Sequence, residues 1–192
     1  MDFGKLTNST PTIGIDFKVA HGKDYAERNI RLHIWDTGSH HDYKHIITGY
    51  YKNTAAVIIV FDITNYESFR TIEDILSDLS KYSLTNIRQP IILIGNKCDL
   101  ESKRQVSTLE AQTYAKDNRL LYYETSAVKD SNMEYIMAKL IDNISNHYID
   151  NKINHSGVKT GFKLVSNNRA VCGQKGTNLD CCVPSWFICV LK

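Results

Sequence analysis

Short apolar runs separated by polar or amphipathic stretches cover most of the chain. Two of these runs, at 13–20 and 30–35, flank the polar stretch 21–29, and this arrangement predicts an antiparallel hairpin. The remaining runs are almost uninterrupted in apolar residues and lie at 55–61, 90–95 and 120–123. Runs of this kind are typical of strands that are buried on both faces.

One segment with a helical signature follows each of the last three of these predicted strands. After the third strand, apolar residues recur at helical spacing at Phe69, Ile72, Leu76 and Leu79. Two S-x-x-E sequences, at 107–110 and 131–134, have the form of capping boxes that open two more helices. The apolar stripe of the last helix consists of Met133, Ile136, Met137, Leu140, Ile141 and Ile144. We expect its methionines to lie in the core, not in a cofactor site.

Strands that alternate with helices in this order predict an α/β fold, with a mainly parallel sheet and helices on both faces. Ligands of such sheets bind at the carboxyl ends of the strands, where Asp36, Asn96 and Ser126 fall. From about residue 151 the pattern gives way to Asn, Lys, Gly and Ser. The sequence therefore predicts one domain over 1–150 and a flexible tail over 151–192.

Composition narrows the class of protein. The chain has 192 residues, of which 42% are hydrophobic and 23% charged, enough to bury a substantial core. A net charge of +2, without a basic run, argues against a nucleic-acid partner. Four of the five cysteines lie after residue 170, so no disulfide framework spans the domain, which fits a reducing compartment. We read no secretory signal at the N-terminus and no membrane-spanning apolar stretch.

A turn with the sequence N-K-x-D, at Asn96, Lys97 and Asp99, follows the fourth strand and has the form of a guanine-reading site. The Asp99 carboxylate can accept from the ring N1–H and the exocyclic amine of guanine, a donor pair that adenine lacks. We expect Asn96 and Lys97 to hold the loop and cover the base, and the backbone N–H groups at Ser126 and Ala127 to meet the guanine carbonyl. The alternative is that Asp99 only caps a turn.

The phosphate half of a nucleotide site is not found in the sequence. No G-x-x-x-x-G-K-[ST] motif occurs, and the Gly-Lys-Leu at 4–6 lacks both the leading glycine and the hydroxyl. Each lost hydrogen bond to charged phosphate is worth roughly 1.5–3 kcal/mol. We therefore expect the chain as written to bind GTP or GDP more weakly than micromolar.

Four segments and the two guanine motifs together carry a resemblance to a known family. The segments are the sequence T-I-G-I-D-F at 12–17, L-H-I-W-D-T at 32–37, G-Y-Y-K at 49–52 and F-D-I-T at 61–64. Over roughly 10–150 the chain resembles the Rab family of Ras-superfamily small GTPases. The resemblance implies the small GTPase fold of the P-loop NTPase type, bound GTP or GDP with Mg²⁺, and a place in intracellular vesicle and membrane traffic.

The resemblance also implies roles for individual residues. Thr12 would coordinate magnesium and sense the γ-phosphate, and Asp36 would hold the same ion through water. Effectors would read an exposed aromatic triad, Phe17, Trp35 and Tyr50. The rest of the implied effector surface is Ile13, Gly14, Ile15 and Asp16. The implied partners are effectors, an exchange factor, a GTPase-activating protein and an escort protein.

Downstream of Asp36, two residues of this chain depart from the family pattern. Ser39 replaces the glycine whose N–H meets the γ-phosphate, and a side chain there restricts the backbone. His40 replaces the glutamine that orients the attacking water. These changes predict impaired or absent hydrolysis. A metal site at His40 and His41 is the alternative, but no third ligand stands at suitable spacing.

The start of the chain departs further, because only eleven residues precede Thr12. The family's first strand, phosphate loop and first helix are therefore expected to be missing. That strand is the central one, between the hairpin and the strand at 55–61. Either the start is incomplete, or the protein has abandoned the nucleotide cycle and tolerates a damaged core.

The tail is ambiguous as well. Cys181 and Cys182 resemble the paired cysteines that Rab proteins geranylgeranylate, yet ten residues follow them. The last four residues, from Cys189, only outline a C-a-a-X box. The alternative is an apolar tail that carries no lipid. Either way the residues predict contact with a membrane or a partner groove, and a cytoplasmic protein peripheral on intracellular membranes.

Three functional interpretations remain open. The chain is a Rab-like GTP-binding switch with an incomplete start, a pseudo-GTPase that binds trafficking partners without cycling, or a non-functional truncated product. We favour a Rab-family trafficking protein with impaired or absent hydrolysis.

Overall fold

The computed structural model describes residues 14–23, 27, 29–38, 49–51, 54–82, 89–129 and 131–146, and the backbone of 186–191. Within these residues the strands are β1 Ile15–Lys23, β2 Asn29–Thr37, β3 Ala56–Asp62, β4 Ile91–Asn96, β5 Leu121–Glu124 and β6 Trp186–Leu191. The α-helices are α1 Tyr66–Arg70, α2 Ile72–Tyr82, α3 Thr108–Asp117 and α4 Met133–Ser145, and a 3₁₀ helix spans Cys98–Lys103. The five strands predicted from the apolar runs are confirmed, each with a boundary shifted by one to three residues.

The strands form one sheet in the order β1-β2-β6-β3-β4-β5. β1 and β2 are the predicted antiparallel hairpin, and β3, β4 and β5 pair in parallel. β6 is antiparallel to both of its neighbours, so β2 runs in the same direction as β3. Four of the six strands therefore share one direction, and the mainly parallel sheet is confirmed.

Helices cover both faces of this sheet. On one face, α4 packs its apolar stripe against alternate buried residues of the three strands β2, β3 and β4, among them Leu32, Ile58 and Ile94. On the other face, α1, α2 and α3 pack against Val57, Ile59 and Phe61 of β3. β3 is buried along its whole length, which explains its uninterrupted apolar sequence.

Of the two capping boxes predicted from the sequence, one is present at the start of its helix and the other is not. Ser107 Oγ accepts from the backbone N–H of Glu110 at 3.1 Å, as the capping box at 107–110 predicts. The predicted box at 131–134 is wrong, because α4 has Asn132 as its N-cap with a left-handed φ of 66° and no side-chain cap. Ser131 Oγ instead accepts from the backbone N–H of Ser126.

The C-terminal strand differs from the sequence expectation. Composition predicts a flexible tail over 151–192, whereas Trp186–Leu191 pairs with Ile34–Thr37 of β2 and with Ala56–Phe61 of β3. Residues 147–185, which connect α4 to β6, lie outside the described part. In the described part, none of the helices combines the length and the apolar character needed to cross a bilayer.

Candidate functional site

The carboxyl ends of the parallel strands bring the predicted site residues to one edge of the sheet. Asp62 ends β3 and is paired in register with Asn96, which ends β4. Glu124 ends β5 and is paired with Gly95. Because β3, β4 and β5 run in parallel, the turn after β4 and the loop after β5 leave the sheet side by side.

Backbone hydrogen bonds join this turn and loop. The N–H of Thr125 donates to the carbonyl of Gly95 at 2.9 Å, and the N–H of Cys98 donates to the carbonyl of Thr125 at 3.1 Å. Lys97 lies between Asn96 and Cys98 in the turn and has a left-handed φ of 66°. This conformation turns the chain from β4 into the 3₁₀ helix, which carries Asp99 as its second residue.

Side chains of the two motifs complete the connection. Ser126 Oγ donates to Asp99 Oδ1 at 2.5 Å, and the N–H of Ala127 donates to Asn96 Oδ1 at 3.3 Å. Asn96 and Ser126 are buried, whereas Asp99 is half-buried. The structure thus brings together all five residues that the sequence assigns to guanine: Asn96, Lys97, Asp99, Ser126 and Ala127.

Asp62 lies at the edge of the site and belongs to neither of the guanine motifs. Lys97 Nζ lies 2.6 Å from Asp62 Oδ2, so the lysine bridges the ends of β3 and β4. Burial raises the pKa of Asp62, but hydrogen bonds from Lys97 and Thr64 outweigh burial and hold that pKa below its usual value. The available signal was its position, since Asp62 ends a buried parallel strand as Asn96 does.

A second charged group supports the loop after β5. Glu124 accepts from Arg104 Nη1 at 3.1 Å and Nη2 at 2.8 Å, from Thr108 Oγ1 and from Tyr122 Oη. Burial raises the pKa of Glu124, and the hydrogen bonds from Arg104 and Tyr122 overcome it, so its pKa is lowered. The ionised Glu124 therefore anchors the residue that immediately precedes Thr125.

Gly95 occupies a position with no room for a side chain. A Cβ there would lie 2.8 Å from Tyr122 Oη and 3.0 Å from a methyl carbon of Ile63. The absence of a side chain lets β4 and β5 bring their ends close, directly before Asn96.

Three aromatic side chains form a contiguous patch on the hairpin side of the sheet. The ring centroids of Phe17 and Trp35 are 4.6 Å apart, and those of Trp35 and Tyr50 are 4.9 Å apart. Phe17 is 43% exposed. The predicted aromatic triad is therefore contiguous, and its outer ring is open to solvent.

The remaining predicted residues divide between described and undescribed parts of the chain. Gly14, Ile15 and Asp16 lie beside β2, where Gly14 accepts from the N–H of Gly38 at 2.8 Å and Asp16 is paired with Asp36. Outside the described residues are Thr12, Ile13, Ser39, His40, Cys181 and Cys182. Among the described residues, no three His, Cys, Asp or Glu side chains form a metal-binding group.

Comparison with known proteins identifies the family. The Ras family model matches residues 4–146. Ras-related protein Rab-4 of Dictyostelium discoideum is 35% identical over 175 residues, which cover 91% of this chain and 83% of that protein. The chain belongs to the Rab group of the Ras family. It is also 38% identical over 131 residues to GTP-binding protein Rab-3D of Rattus norvegicus, and 36% identical over 139 residues to Ras-related protein Rab-3B of Homo sapiens.

Coverage of these relatives is unequal. The match with Rab-3D covers 68% of this chain and 58% of Rab-3D. The match with Rab-3B covers 72% of this chain and 62% of Rab-3B. The chain therefore spans less than two thirds of the Rab-3 relatives. The small GTPase fold predicted from the resemblance is confirmed by the family match and by the sheet with helices on both faces.

Proposed function

We propose that this Rab protein binds guanine nucleotides and acts in intracellular vesicle and membrane traffic. The observation that carries the proposal is the 2.5 Å hydrogen bond from Ser126 to Asp99, which fixes the turn after β4 against the loop after β5. Membership of the Rab group supports the role in traffic.

In this proposal the base is read by the carboxylate of Asp99. Two donors of guanine, N1–H and the exocyclic amine, match the carboxylate oxygens, whereas adenine offers an acceptor at the ring nitrogen. Lys97 covers the base with its aliphatic stem while Asp62 fixes its ammonium group. The N–H groups of the loop at 126–127 meet the guanine carbonyl.

Magnesium and phosphate would be held near the carboxyl end of β2, which lies at the same edge of the sheet as the ends of β3, β4 and β5. Mg²⁺ is commonly bound through one or two protein oxygens together with phosphates and waters, so the single carboxylate of Asp36 near the end of β2 fits the ion. Thr12 would supply the second protein ligand and contact the γ-phosphate. Bound Mg²⁺ would neutralise phosphate charge.

Calorimetry with GDP and with ADP, both with magnesium, tests nucleotide binding. The sequence contains no G-x-x-x-x-G-K-[ST], so we expect GDP to bind more weakly than micromolar and ADP more weakly still. A nanomolar dissociation constant for GDP would require a different phosphate site. Equal affinities for GDP and ADP would refute base recognition by Asp99.

We propose further that hydrolysis is impaired. Ser39 and His40 replace the groups that position the γ-phosphate and the attacking water. Phosphate release should be followed at GTP concentrations above the measured dissociation constant, beside Rab-3D under the same conditions. We expect slower release than from Rab-3D, and more recovery from Ser39→Gly with His40→Gln together than from His40→Gln alone. Release at the rate of Rab-3D would contradict the proposal.

The aromatic patch favours a second candidate function, an interaction module that does not depend on nucleotide cycling. The Trp35 ring packs against the rings of both Phe17 and Tyr50, and Phe17 is 43% exposed, so the patch offers an apolar surface to a partner. Effectors, an exchange factor, a GTPase-activating protein and an escort protein are the proposed partners. The proposed location is the cytoplasmic face of internal membranes, reached through lipidated Cys181 and Cys182. Binding of a Rab effector with equal affinity in GTP, in GDP and without nucleotide would favour this function over a switch.

A further inference from the structure

β6 occupies the central position of the sheet, and it is the strand that joins the two halves. β1 and β2 pair with each other, β3, β4 and β5 pair with one another, and β2 and β3 each pair with β6. In the described part of the chain, no direct pairing links β2 to β3. Without β6, the facing edges of β2 and β3 would present unpaired N–H and C=O groups.

The sequence of β6 suits a buried central strand. Its six residues, W-F-I-C-V-L, include no charged or strongly polar side chain and are rich in aromatic and β-branched types. All six are paired with β3, and four of them are also paired with β2. The flanking β3 is buried along its whole length and so would be exposed by loss of its neighbour.

We propose that residues 186–191 are an intramolecular donor strand, which binds the groove between β2 and β3 and completes the domain. The groove has room for one strand, because β6 uses both of its hydrogen-bonding edges. Pairing in the sheet therefore excludes the same residues from a membrane or from a partner protein. The segment must leave the sheet before it can contact either.

The length of chain before β6 permits this arrangement. Forty residues, 146 to 185, connect the end of α4 to Trp186. The entropic cost of closing a loop grows only slowly with its length. A tethered strand also has a higher effective concentration than a strand from another molecule, so binding within one chain is favoured over exchange between two copies.

A designed disulfide tests both the register in which β6 pairs with β3 and whether that pairing occurs within one chain or between two copies. Cys189 is paired with Ile58, so Ile58→Cys in the full chain places two cysteines directly opposite each other, at a separation that a disulfide can span. Val60→Cys is the matched control, because Val60 is paired with Phe187 and lies two positions from the register of Cys189. Both positions are buried, so the substitutions disturb similar surroundings.

Oxidised glutathione would drive the cross-link, and mass mapping of peptides would identify the cysteines joined. We expect a disulfide between positions 58 and 189 within one chain, at least about tenfold more abundant than the disulfide between positions 60 and 189. A covalent dimer joined through the same pair would show exchange between copies. Equal yields, or no disulfide at Cys189, would overturn the proposed pairing.

Hydrogen exchange on the unmodified chain provides an independent measurement if the cysteine variants do not fold. Residues 186–191 should exchange at least about tenfold more slowly than an unprotected peptide. Ile188→Pro should remove that protection and speed exchange in β2 and β3, because proline cannot donate in a strand paired on both sides. Val171→Pro, in the same tail, should leave all three strands unchanged. Unprotected exchange at 186–191 in the unmodified chain would contradict the donor strand.

Discussion

Ser126 Oγ donates a 2.5 Å hydrogen bond to Asp99 Oδ1 across 27 positions of sequence. The same oxygen accepts from the backbone N–H of Lys129 at 3.1 Å. One buried hydroxyl therefore fixes both the carboxylate proposed to read guanine and the loop proposed to meet the guanine carbonyl. The relative position of the two motifs depends on this side chain.

We expect Ser126→Ala to weaken guanine binding and to lower the free energy of unfolding by about 1 kcal/mol, the typical net value of one lost hydrogen bond. Ser80→Ala is the matched control, because Ser80 is exposed and its hydroxyl donates to the carbonyl of Ser77 within the same helix. Urea unfolding of both variants and GDP calorimetry provide the two readouts. An effect of Ser126→Ala no larger than that of Ser80→Ala would argue against the loop connection.

Gly95→Ala should destabilise the fold by about 1–3 kcal/mol, because the added Cβ would crowd Tyr122 Oη at 2.8 Å and Ile63 at 3.0 Å. Gly49→Ala is the control, since a Cβ at Gly49 meets no atom within 4 Å. Chemical denaturation compares the two variants. Adding Tyr122→Phe to Gly95→Ala should recover part of the loss by removing the nearest atom. A neutral Gly95→Ala would show that the ends of β4 and β5 are not closely packed.

Arg104 bonds two carboxylates in different surroundings and so provides an internal comparison. The side chain of Glu124 is 19% exposed, whereas that of Glu101 is 68% exposed. We expect Glu124→Gln to lower the unfolding free energy by roughly 2–4 kcal/mol, because it removes the less exposed of the two carboxylates that pair with Arg104, whose side chain is 14% exposed. Glu101→Gln should cost less than about 1 kcal/mol, as for most surface pairs. Similar costs in thermal and urea unfolding would mean that Glu124 is not the anchor of its loop.

The Asp62 carboxylate should make stability depend on pH in the acid range. Its pKa in the folded protein is lowered from the usual 3.8. Its contribution is therefore fully present above the unfolded pKa and is lost as the pH falls through the lower folded value. Unfolding free energies measured between about pH 5 and pH 3 should fall less steeply in Asp62→Asn than in the unmodified chain. Parallel slopes for the two proteins would contradict the ion pair with Lys97.

The fold was predictable where a strand or helix shows its own periodicity. The five apolar runs became β1 to β5, and the stripe from Met133 to Ile144 packs α4 on the sheet. Two features of the fold could not be predicted from local sequence and depend on tertiary contacts. Trp186–Leu191 carries only an apolar sequence, which fits a membrane contact as well as a central strand. The cap expected at Ser131 was wrong because the loop at Ser126 binds that hydroxyl.

The candidate site was predictable where residues follow a motif and not where they only support one. Asn96, Lys97 and Asp99 form a continuous turn, and Ser126 follows the next strand, so spacing indicated their chemistry. Asp62 and Arg104 reach the site through pairing of strands and through a side chain from the end of the 3₁₀ helix. Neither belongs to a pattern of local spacing, so only the folded structure shows their role.

The most direct test of guanine recognition is a substitution that changes the donors and acceptors of one side chain. Asp99→Asn replaces a carboxylate oxygen with an amide donor, which matches the extra carbonyl of xanthine. Nuclear magnetic resonance titration with GMP and XMP measures the preference even when binding is weak, and Asp117→Asn, in the exposed last turn of α3, is the control. We predict that the unmodified chain and the control prefer GMP, with shifts at 96–99 and 126–127, and that Asp99→Asn prefers XMP. An unchanged preference for GMP in Asp99→Asn would contradict this prediction.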